Sequence, residues 1–163
     1  MRPVVPVLAA ASLAIGMTLP LAAPADAATT LKFARFYADQ PGADMPYTNT
    51  RLNNEYVQVK NVTRKTISLS GYTIRDRGYK HTYRFPSTFR LGAGKTVTVH
   101  TGKGRNTSAN LYWGMRSMAW NNGTRAGVVA DTAYLFRSSS KVTYCNYIPT
   151  AAQLRAKTGY RNC

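Results

Sequence analysis

Acidic residues are scarce in this chain. Its 163 residues include 22 Lys and Arg but only 6 Asp and Glu, which leaves a formal net charge of +16, and only two His and two Cys. Hydrolytic and nucleophilic enzymes need a base, usually His, Asp or Glu, held beside a nucleophile or a partner acid. The few acidic residues stand singly along the sequence, and no pair is spaced to act together. We therefore predict no catalytic residues and favour a binding function.

Metal-ligand spacing is also missing. His81 and His100 stand far from each other and from Cys145 and Cys163, so neither a zinc site nor any cofactor is predicted. In an oxidising compartment the two cysteines would most simply form one disulfide. Closing the loop between Cys145 and Cys163 would stabilise the folded protein by ~3 kcal/mol, because it lowers the entropy of the unfolded chain. Two free or intermolecular thiols are the alternative.

Residues 1–27 have the composition of a secretory signal peptide. Arg2 gives a positive start, Val4 to Ala23 is almost entirely apolar, and Ala25-Asp26-Ala27 offers small residues at a cleavage site. An uncleaved membrane anchor is the alternative, because the apolar run approaches the ~20 residues that a bilayer needs. We predict cleavage after Ala27 and a secreted protein without membrane attachment.

The remaining residues show the alternation of β-strands. In the run 55–61, Val57 and Val59 alternate with Gln58 and Lys60, as in a strand with one buried face. Further short runs, separated by Gly, Pro, Asn and Ser, lie at 31–37, 66–75, 79–85, 95–101, 109–113, 131–137 and 141–147. Strands without helical periods between them indicate an all-β sandwich or barrel. We predict one domain over residues 28–147.

Residues 148–163 form a tail of different character. Thr150 and Gln153 have the spacing of a helix N-cap and its capping-box partner, and Gly159 is suited to end the helix. A helix this short is marginal alone. A Cys145–Cys163 bridge would hold it against the last strand.

A series of motifs runs through the predicted strands in a particular order. They are Asn53-Asn54-Glu55-Tyr56-Val57-Gln58-Val59-Lys60-Asn61, Leu69-Ser70-Gly71-Tyr72-Thr73-Ile74-Arg75-Asp76, Tyr83-Arg84-Phe85-Pro86, Leu91-Gly92-Ala93-Gly94-Lys95-Thr96-Val97-Thr98-Val99, Trp120-Asn121-Asn122-Gly123 and Asp131-Thr132-Ala133-Tyr134-Leu135. Together they resemble the lamin tail domain of nuclear lamins and of many secreted bacterial proteins, over about residues 31–147. The resemblance implies an immunoglobulin-like β-sandwich. It also implies an adhesive, non-catalytic module, since exported bacterial relatives often carry it beside nuclease or other hydrolase domains.

Two features depart from the family pattern. Gly71-Tyr72 stands where the family has Gly-Trp, an exchange of one aromatic core residue for another. The family's Asn-Asn-x-Gly-Asp run is split here, with residues 124–130 inserted before Asp131. The insertion leaves the shape of the 122–131 loop open.

The side chains predicted to face inward are Val57, Val59, Leu69, Ile74, Phe85, Val97, Val99, Trp120 and Leu135.

Positive charge is the remaining signal. The segment from Arg75 to Arg84 places cations, a histidine and the tyrosines Tyr79 and Tyr83 on one predicted hairpin, and a glycine-containing loop follows at 102–105. Cations could meet the phosphates of a polyanion while the rings stack on it, and closely spaced glycines let backbone N–H groups converge on an anion. We predict a polyanion site, for DNA or a phosphate-bearing wall polymer, at Arg75, Arg77, Lys80, Arg84, Lys103 and Arg105.

Other interpretations stay open at this stage. The charge could serve only as a solvated surface, the chain could bind a protein along a sheet edge, or it could be a small secreted hydrolase or nuclease. A continuous positive face would favour the polyanion, a long uncharged edge the protein partner, and a clustered Asp, His and Asn pocket the enzyme. A monomer is expected.

Overall fold

The computed structural model describes residues 30–163, and the predicted signal peptide lies outside the described residues. The elements are β1 (Leu31–Asp39), α1 (Asn49–Asn54), β2 (Tyr56–Asn61), β3 (Ile67–Ser68), β4 (Tyr72–Arg75), β5 (Thr82–Arg84), β6 (Arg90–Leu91), β7 (Thr96–His100), β8 (Asn110–Tyr112), β9 (Asp131–Arg137), β10 (Ser140–Tyr147), α2 (Ala151–Ala156) and β11 (Gly159–Asn162). Within residues 30–163, no helix is long and apolar enough to cross a membrane.

Two main sheets pack face to face. One has five strands in the order β11-β1-β2-β7-β8, and the other has four in the order β10-β9-β4-β5; β3 and β6 form a small separate pair. The neighbours pair antiparallel except β7 and β8, which run parallel. This confirms the predicted all-β sandwich with a short C-terminal helix.

The core lies between the sheets, where the predicted alternation places it. In the β2–β7 pair, Val57 lies opposite Val99 and Val59 opposite Val97, and all four are buried. All nine side chains predicted to face inward are buried, so that prediction is confirmed.

Truncating Val59 should test this core. Val59→Ala is expected to lower the free energy of unfolding by about 1–3 kcal/mol, because the removed methyl groups leave a cavity in a site with no solvent access. Val62→Ala is the matched control, since Val62 is 45% exposed and should change stability by no more than about 0.5 kcal/mol. Urea unfolding of both variants gives the comparison. Equal effects would contradict the assigned strand register.

Some predicted strands begin or end elsewhere. The run 66–75 is two strands, because Gly71 turns the chain with a positive φ of 77°. The run 79–85 becomes a strand only at Thr82, since the Tyr79 amide closes a turn on the Asp76 carbonyl at 3.1 Å. Helix α1, which the sequence analysis missed, begins at an N-cap formed by Thr48.

The tail contains both predicted and unexpected structure. Thr150 and Gln153 form the predicted capping box, but α2 ends at Ala156 with left-handed Lys157 as its C-cap, rather than at Gly159. Gly159 instead opens β11, where a side chain would overlap the Tyr147 hydroxyl. Strand β11 pairs with β1 and so covers that edge of the five-stranded sheet. The predicted disulfide joins Cys145 to Cys163.

Candidate functional site

The positive charge of this protein is not neutralised internally. Of the acidic side chains in the described residues, four are buried and the fifth, Asp44, accepts hydrogen bonds from the Asn122 amide. Over residues 30–163 no Lys or Arg forms a salt bridge with a carboxylate; the one charge contact joins His81 Nδ1 to Asp76 Oδ2 at 3.1 Å. The exposed cations therefore remain available to an external anion.

The segment 76–81 forms a turn between β4 and β5, which we call the basic turn. Buried Asp131, at the start of β9, holds it: its Oδ1 accepts the Arg77 and Thr132 amides at 3.0 and 2.7 Å, and its Oδ2 accepts the Asn121 amide at 2.8 Å. Burial raises the pKa of Asp131, and these hydrogen bonds offset part of that rise. The clamp fixes the basic turn against the loop that precedes β9.

The inserted loop before Asp131 is anchored at several points. The Gly127 amide donates to the Pro149 carbonyl and the Ala130 amide to the Tyr147 carbonyl, at 3.0 and 2.9 Å. The Arg77 side chain donates to the Val129 carbonyl at 2.9 Å. These contacts attach the loop to both the end of β10 and the basic turn, which answers the question that the sequence left open about its shape.

The outward side of the four-stranded sheet carries aromatic and cationic side chains together. The strand register places Arg75 opposite Tyr134, Tyr134 opposite Tyr144, and Phe136 opposite Lys141, while Arg84 lies one strand further out opposite Thr73. We call this surface the aromatic–basic face; it comprises Arg75, Arg84, Tyr134, Phe136, Lys141 and Tyr144, with Tyr79 of the basic turn beside it.

Cations and rings on this face lie in contact. The Arg75 guanidinium carbon lies 4.6 Å from the Phe136 ring centroid and 5.9 Å from that of Tyr79. The Lys141 ammonium lies 5.8 Å from Tyr134 and 5.5 Å from Tyr144. These distances are typical of cation–π interactions. Such interactions hold the cations over the sheet and leave their charge unneutralised.

The predicted site residues fall into three groups. Arg75 and Arg84 lie on the aromatic–basic face, Arg77 and Lys80 lie in the basic turn at its end, and Lys103 and Arg105 lie in an exposed loop that joins β7 to β8 of the other sheet. The structure therefore brings the first two groups together on one sheet and leaves the third apart.

The 102–105 loop is held by α1. The Lys103 amide donates to Asn49 Oδ1 at 2.7 Å, and the Lys103 carbonyl accepts from the side chains of Asn49 and Asn53, each at 2.9 Å. A Cβ on Gly104 would overlap the Tyr112 ring. The glycines thus serve close packing, and the Lys103 N–H is already used within the protein.

Sequence reasoning missed four of the six residues of the aromatic–basic face and misassigned one ring. Tyr83 was predicted to be available for stacking, but it points into the core and is 5% exposed, because β5 alternates in phase with Ile74 of β4. The sequence analysis did not predict Tyr134, Phe136, Lys141 or Tyr144 as part of the site. The period-two pattern of β9, with buried Ala133 and Leu135 on either side of Tyr134, was the signal that could have identified the outward tyrosine.

One cleft at the basic turn collects Asp76, His81, Asn121 and Asp131 in a space of about 580 Å³. This is the grouping that would suggest an enzyme, yet both carboxylates are occupied: Asp76 accepts the amide and ring nitrogens of His81, and Asp131 accepts three amides. The residues lining the cleft include no Ser, Thr or Cys. The described residues include no cluster of His, Cys, Asp or Glu suited to a metal. The two carboxylates of the cleft hold the basic turn in place through these hydrogen bonds.

Sheet edges offer little to an added strand. The edge strands β5, β8 and β11 have three or four residues each, and only β10, with eight, is long. Its pairing shifts register between Lys141 and Thr143, and it carries the Lys141 charge. A bulge and an edge lysine are both features that oppose pairing with another chain.

Comparison with known proteins agrees with this architecture. No curated protein matches the chain, whereas the family described as Lamin Tail Domain matches residues 24–149. That family is an immunoglobulin-like interaction module without enzymatic activity, so the predicted immunoglobulin-like fold and the general expectation of a non-catalytic binding role are both supported. The match covers most of the chain, which therefore belongs to the lamin tail domain family.

Proposed function

We propose that this protein is an exported binding module whose ligand is an extracellular polyanion, DNA or a phosphate-bearing wall polymer. The ligand would lie across the aromatic–basic face and the basic turn, in contact with Arg75, Arg77, Lys80, Arg84 and Lys141. The observation that carries the proposal is the absence, over residues 30–163, of any salt bridge between a Lys or Arg and a carboxylate.

The size of the charge supports binding over simple solubility. A net charge of about 2–8 is enough to keep a small domain in solution, and this chain carries +16. An unneutralised surface of this kind attracts polyanions and speeds their association. Export is part of the proposal, and it draws support from the composition of residues 1–27 and from the disulfide, which is typical of oxidising compartments.

Salt dependence tests the proposal directly. Each phosphate that a cation neutralises releases condensed counterions, so five engaged cations should give a log–log slope of affinity against salt of roughly −3.5 to −4.5. The measurement is retention of the mature protein on DNA and, separately, on isolated cell wall across a salt series. The two arms distinguish the possible sources of phosphate. Binding that persists unchanged at high salt would contradict the proposal and point to a protein partner.

Charge neutralisation locates the site. Arg77→Gln, Lys80→Gln and Arg84→Gln in one protein should flatten the slope by about two to three units, since exposed cations contribute about 0.7–0.9 each. Its control replaces Lys32, Lys65 and Lys95 by Gln, which removes the same charge from exposed positions on or beside the five-stranded sheet. The control should keep most of the slope. Equal losses in both would mean that binding depends on net charge alone.

A further inference from the structure

We propose that the aromatic–basic face binds single-stranded nucleic acid, with bases stacking on Tyr79, Tyr134 and Tyr144 and phosphates meeting the cations between them. This inference rests on the proposed polyanion function and specifies its ligand. It begins from the exposure of the rings: Tyr79 is 54% exposed and Tyr144 is 55% exposed, although both side chains are large and apolar over most of their area. Stacking on exposed aromatic rings within a positive surface is how proteins hold unpaired bases.

The three rings form a row across the sheet. The centroids of Tyr79 and Tyr134 are 5.7 Å apart, and those of Tyr134 and Tyr144 are 6.3 Å apart. Arg75 flanks the row near Tyr79, and Lys141 lies over the other two rings. A single nucleic-acid strand bound along this row would therefore have a cation close to each base that stacks on a ring.

The backbone of Tyr79 is a second, independent observation. It has a φ of 55°, the left-handed region that side chains rarely adopt, directly after Gly78, which would adopt it without cost. The Asp76 carbonyl accepts the Tyr79 amide, and Asp131 accepts the amide of Arg77 two residues earlier, so the turn is fixed in this form. Local strain of this kind tends to persist where function needs a side chain in one place. Here it holds the Tyr79 ring beside Tyr134.

A second aromatic row on the five-stranded sheet does not offer the same surface. It runs through Tyr160, Tyr37, Tyr56, His100 and Tyr112, whose neighbouring centroids are 5.0–5.8 Å apart. Its inner rings are half-buried and pack on one another, and Gly104 packs against Tyr112 at one end. Only Tyr160, at the other end, is largely exposed, and Arg35 lies over it. This row is a cross-strand ladder that stabilises the sheet.

Unpaired bases suit the aromatic–basic face better than other polyanions do. In a duplex the faces of the bases are stacked on one another and are not accessible to the tyrosine rings. A phosphate-bearing wall polymer contains no bases. Sequence-specific reading of a duplex groove usually needs an inserted helix or ribbon, whereas α1 and α2 have six residues each and lie outside this sheet. The expected ligand is therefore single-stranded DNA or RNA, bound with little sequence preference.

The test compares oligonucleotides that differ only in their bases. Fluorescence anisotropy at one moderate salt concentration would measure binding of a labelled oligothymidylate, an abasic oligomer with the same number of phosphates, and a duplex. The oligothymidylate should bind most tightly. Tyr79→Leu and Tyr144→Leu should each weaken its binding by about 5- to 150-fold, the usual loss for removing one stacking ring, while the abasic oligomer should bind unchanged.

Matched variants keep the test decisive. Tyr160→Leu removes a ring that is 43% exposed and lies 4.7 Å from the guanidinium carbon of Arg35 on the other sheet, so it should have no effect. Tyr144→Phe keeps the ring and should bind as the unmodified protein does. Urea unfolding of each variant measures whether the fold is intact. If a Leu variant is unstable, stacking is tested by comparing how the unmodified protein binds the base-bearing and the abasic oligomers.

The outcomes separate this inference from the broader proposal. Equal affinity for the base-bearing and abasic oligomers, or an equal loss in Tyr160→Leu, would overturn stacking on this face and leave salt-dependent polyanion binding intact. Binding of a neutral glucan with the same dependence on Tyr79 and Tyr144 would also overturn it. No salt-dependent binding to any oligomer or to cell wall would overturn both.

Discussion

The free energy of unfolding is expected to fall as the pH rises from 4.5 towards 8, and Glu55→Gln is expected to remove most of that fall. Glu55 is fully buried between β2 and the loop before β9, where its Oε2 accepts the Ala119 amide at 3.1 Å. Burial raises its pKa to about 8, and the hydrogen bond from the Ala119 amide offsets only part of that rise.

The sign follows from proton binding. Above pH 4.5 the unfolded chain releases the Glu55 proton, whereas the folded protein keeps it until about pH 8. The folded state therefore binds more protons in this window, and stability declines by about 1.4 kcal/mol per pH unit for one such group. Burial also raises the pKa of Asp39 to about 6, so Asp39 adds to the decline only in the lower part of the range.

Urea unfolding between pH 5 and 9 measures this effect. Gln at position 55 keeps an oxygen for the Ala119 amide and an N–H in place of the acid proton, so the variant should fold and should lose the decline above pH 6. Asp44→Asn is the comparison, because it removes a nearby negative charge while leaving Glu55 in place, and it should keep most of the decline. A Glu55→Gln protein with an unchanged pH profile would show that other groups cause it.

Removing the disulfide should have the second large effect. Cys163→Ser is expected to lower the free energy of unfolding by ~3 kcal/mol, because the unfolded chain regains the entropy of the open loop. Strand β11 should lose its pairing with β1, including the bond from the Cys163 amide to the Ala34 carbonyl. The sandwich should survive, since its remaining core strands all precede Cys145 or end near it.

Amide hydrogen exchange resolves the two regions. Protection should disappear in Gly159–Asn162 and persist in β2 and β7, whose valines fill the core. A double variant, Cys145→Ala with Cys163→Ser, controls for intermolecular bridging by the thiol left behind. Loss of protection throughout the sandwich would contradict the prediction and make the tail part of the folding core.

Local patterns explain why the strands and core could be predicted. Period-two alternation at Val57 and Val59 identifies both a strand and its buried face from neighbouring residues alone. The capping pair Thr150 and Gln153 is equally local, and it appears as predicted. The disulfide could be predicted because only two cysteines exist.

The candidate site depended on contacts that no local pattern contains. Tyr79 and Tyr83 look alike in sequence, yet the turn at Asp76 shifts one to the surface and the pairing of β5 with β4 turns the other inward. Lys141 and Tyr144 join Arg75 only because β9 lies between their strands. The sequence therefore predicted the cations that are neighbours along the chain, but not the cation and rings that the sheet order brings beside them.

Residue chemistry and alternation were enough to indicate a basic, disulfide-linked β-sandwich with a binding role, because charge, burial and capping depend on each residue and its neighbours. They could not indicate β11 or the aromatic–basic face. Arg35 and Asn162 stand 127 positions apart, and the short segment Gly159–Asn162 becomes a strand only where β1 offers it an edge. Strand order and register arise from the packing of the whole chain, and they decide which side chains share a surface.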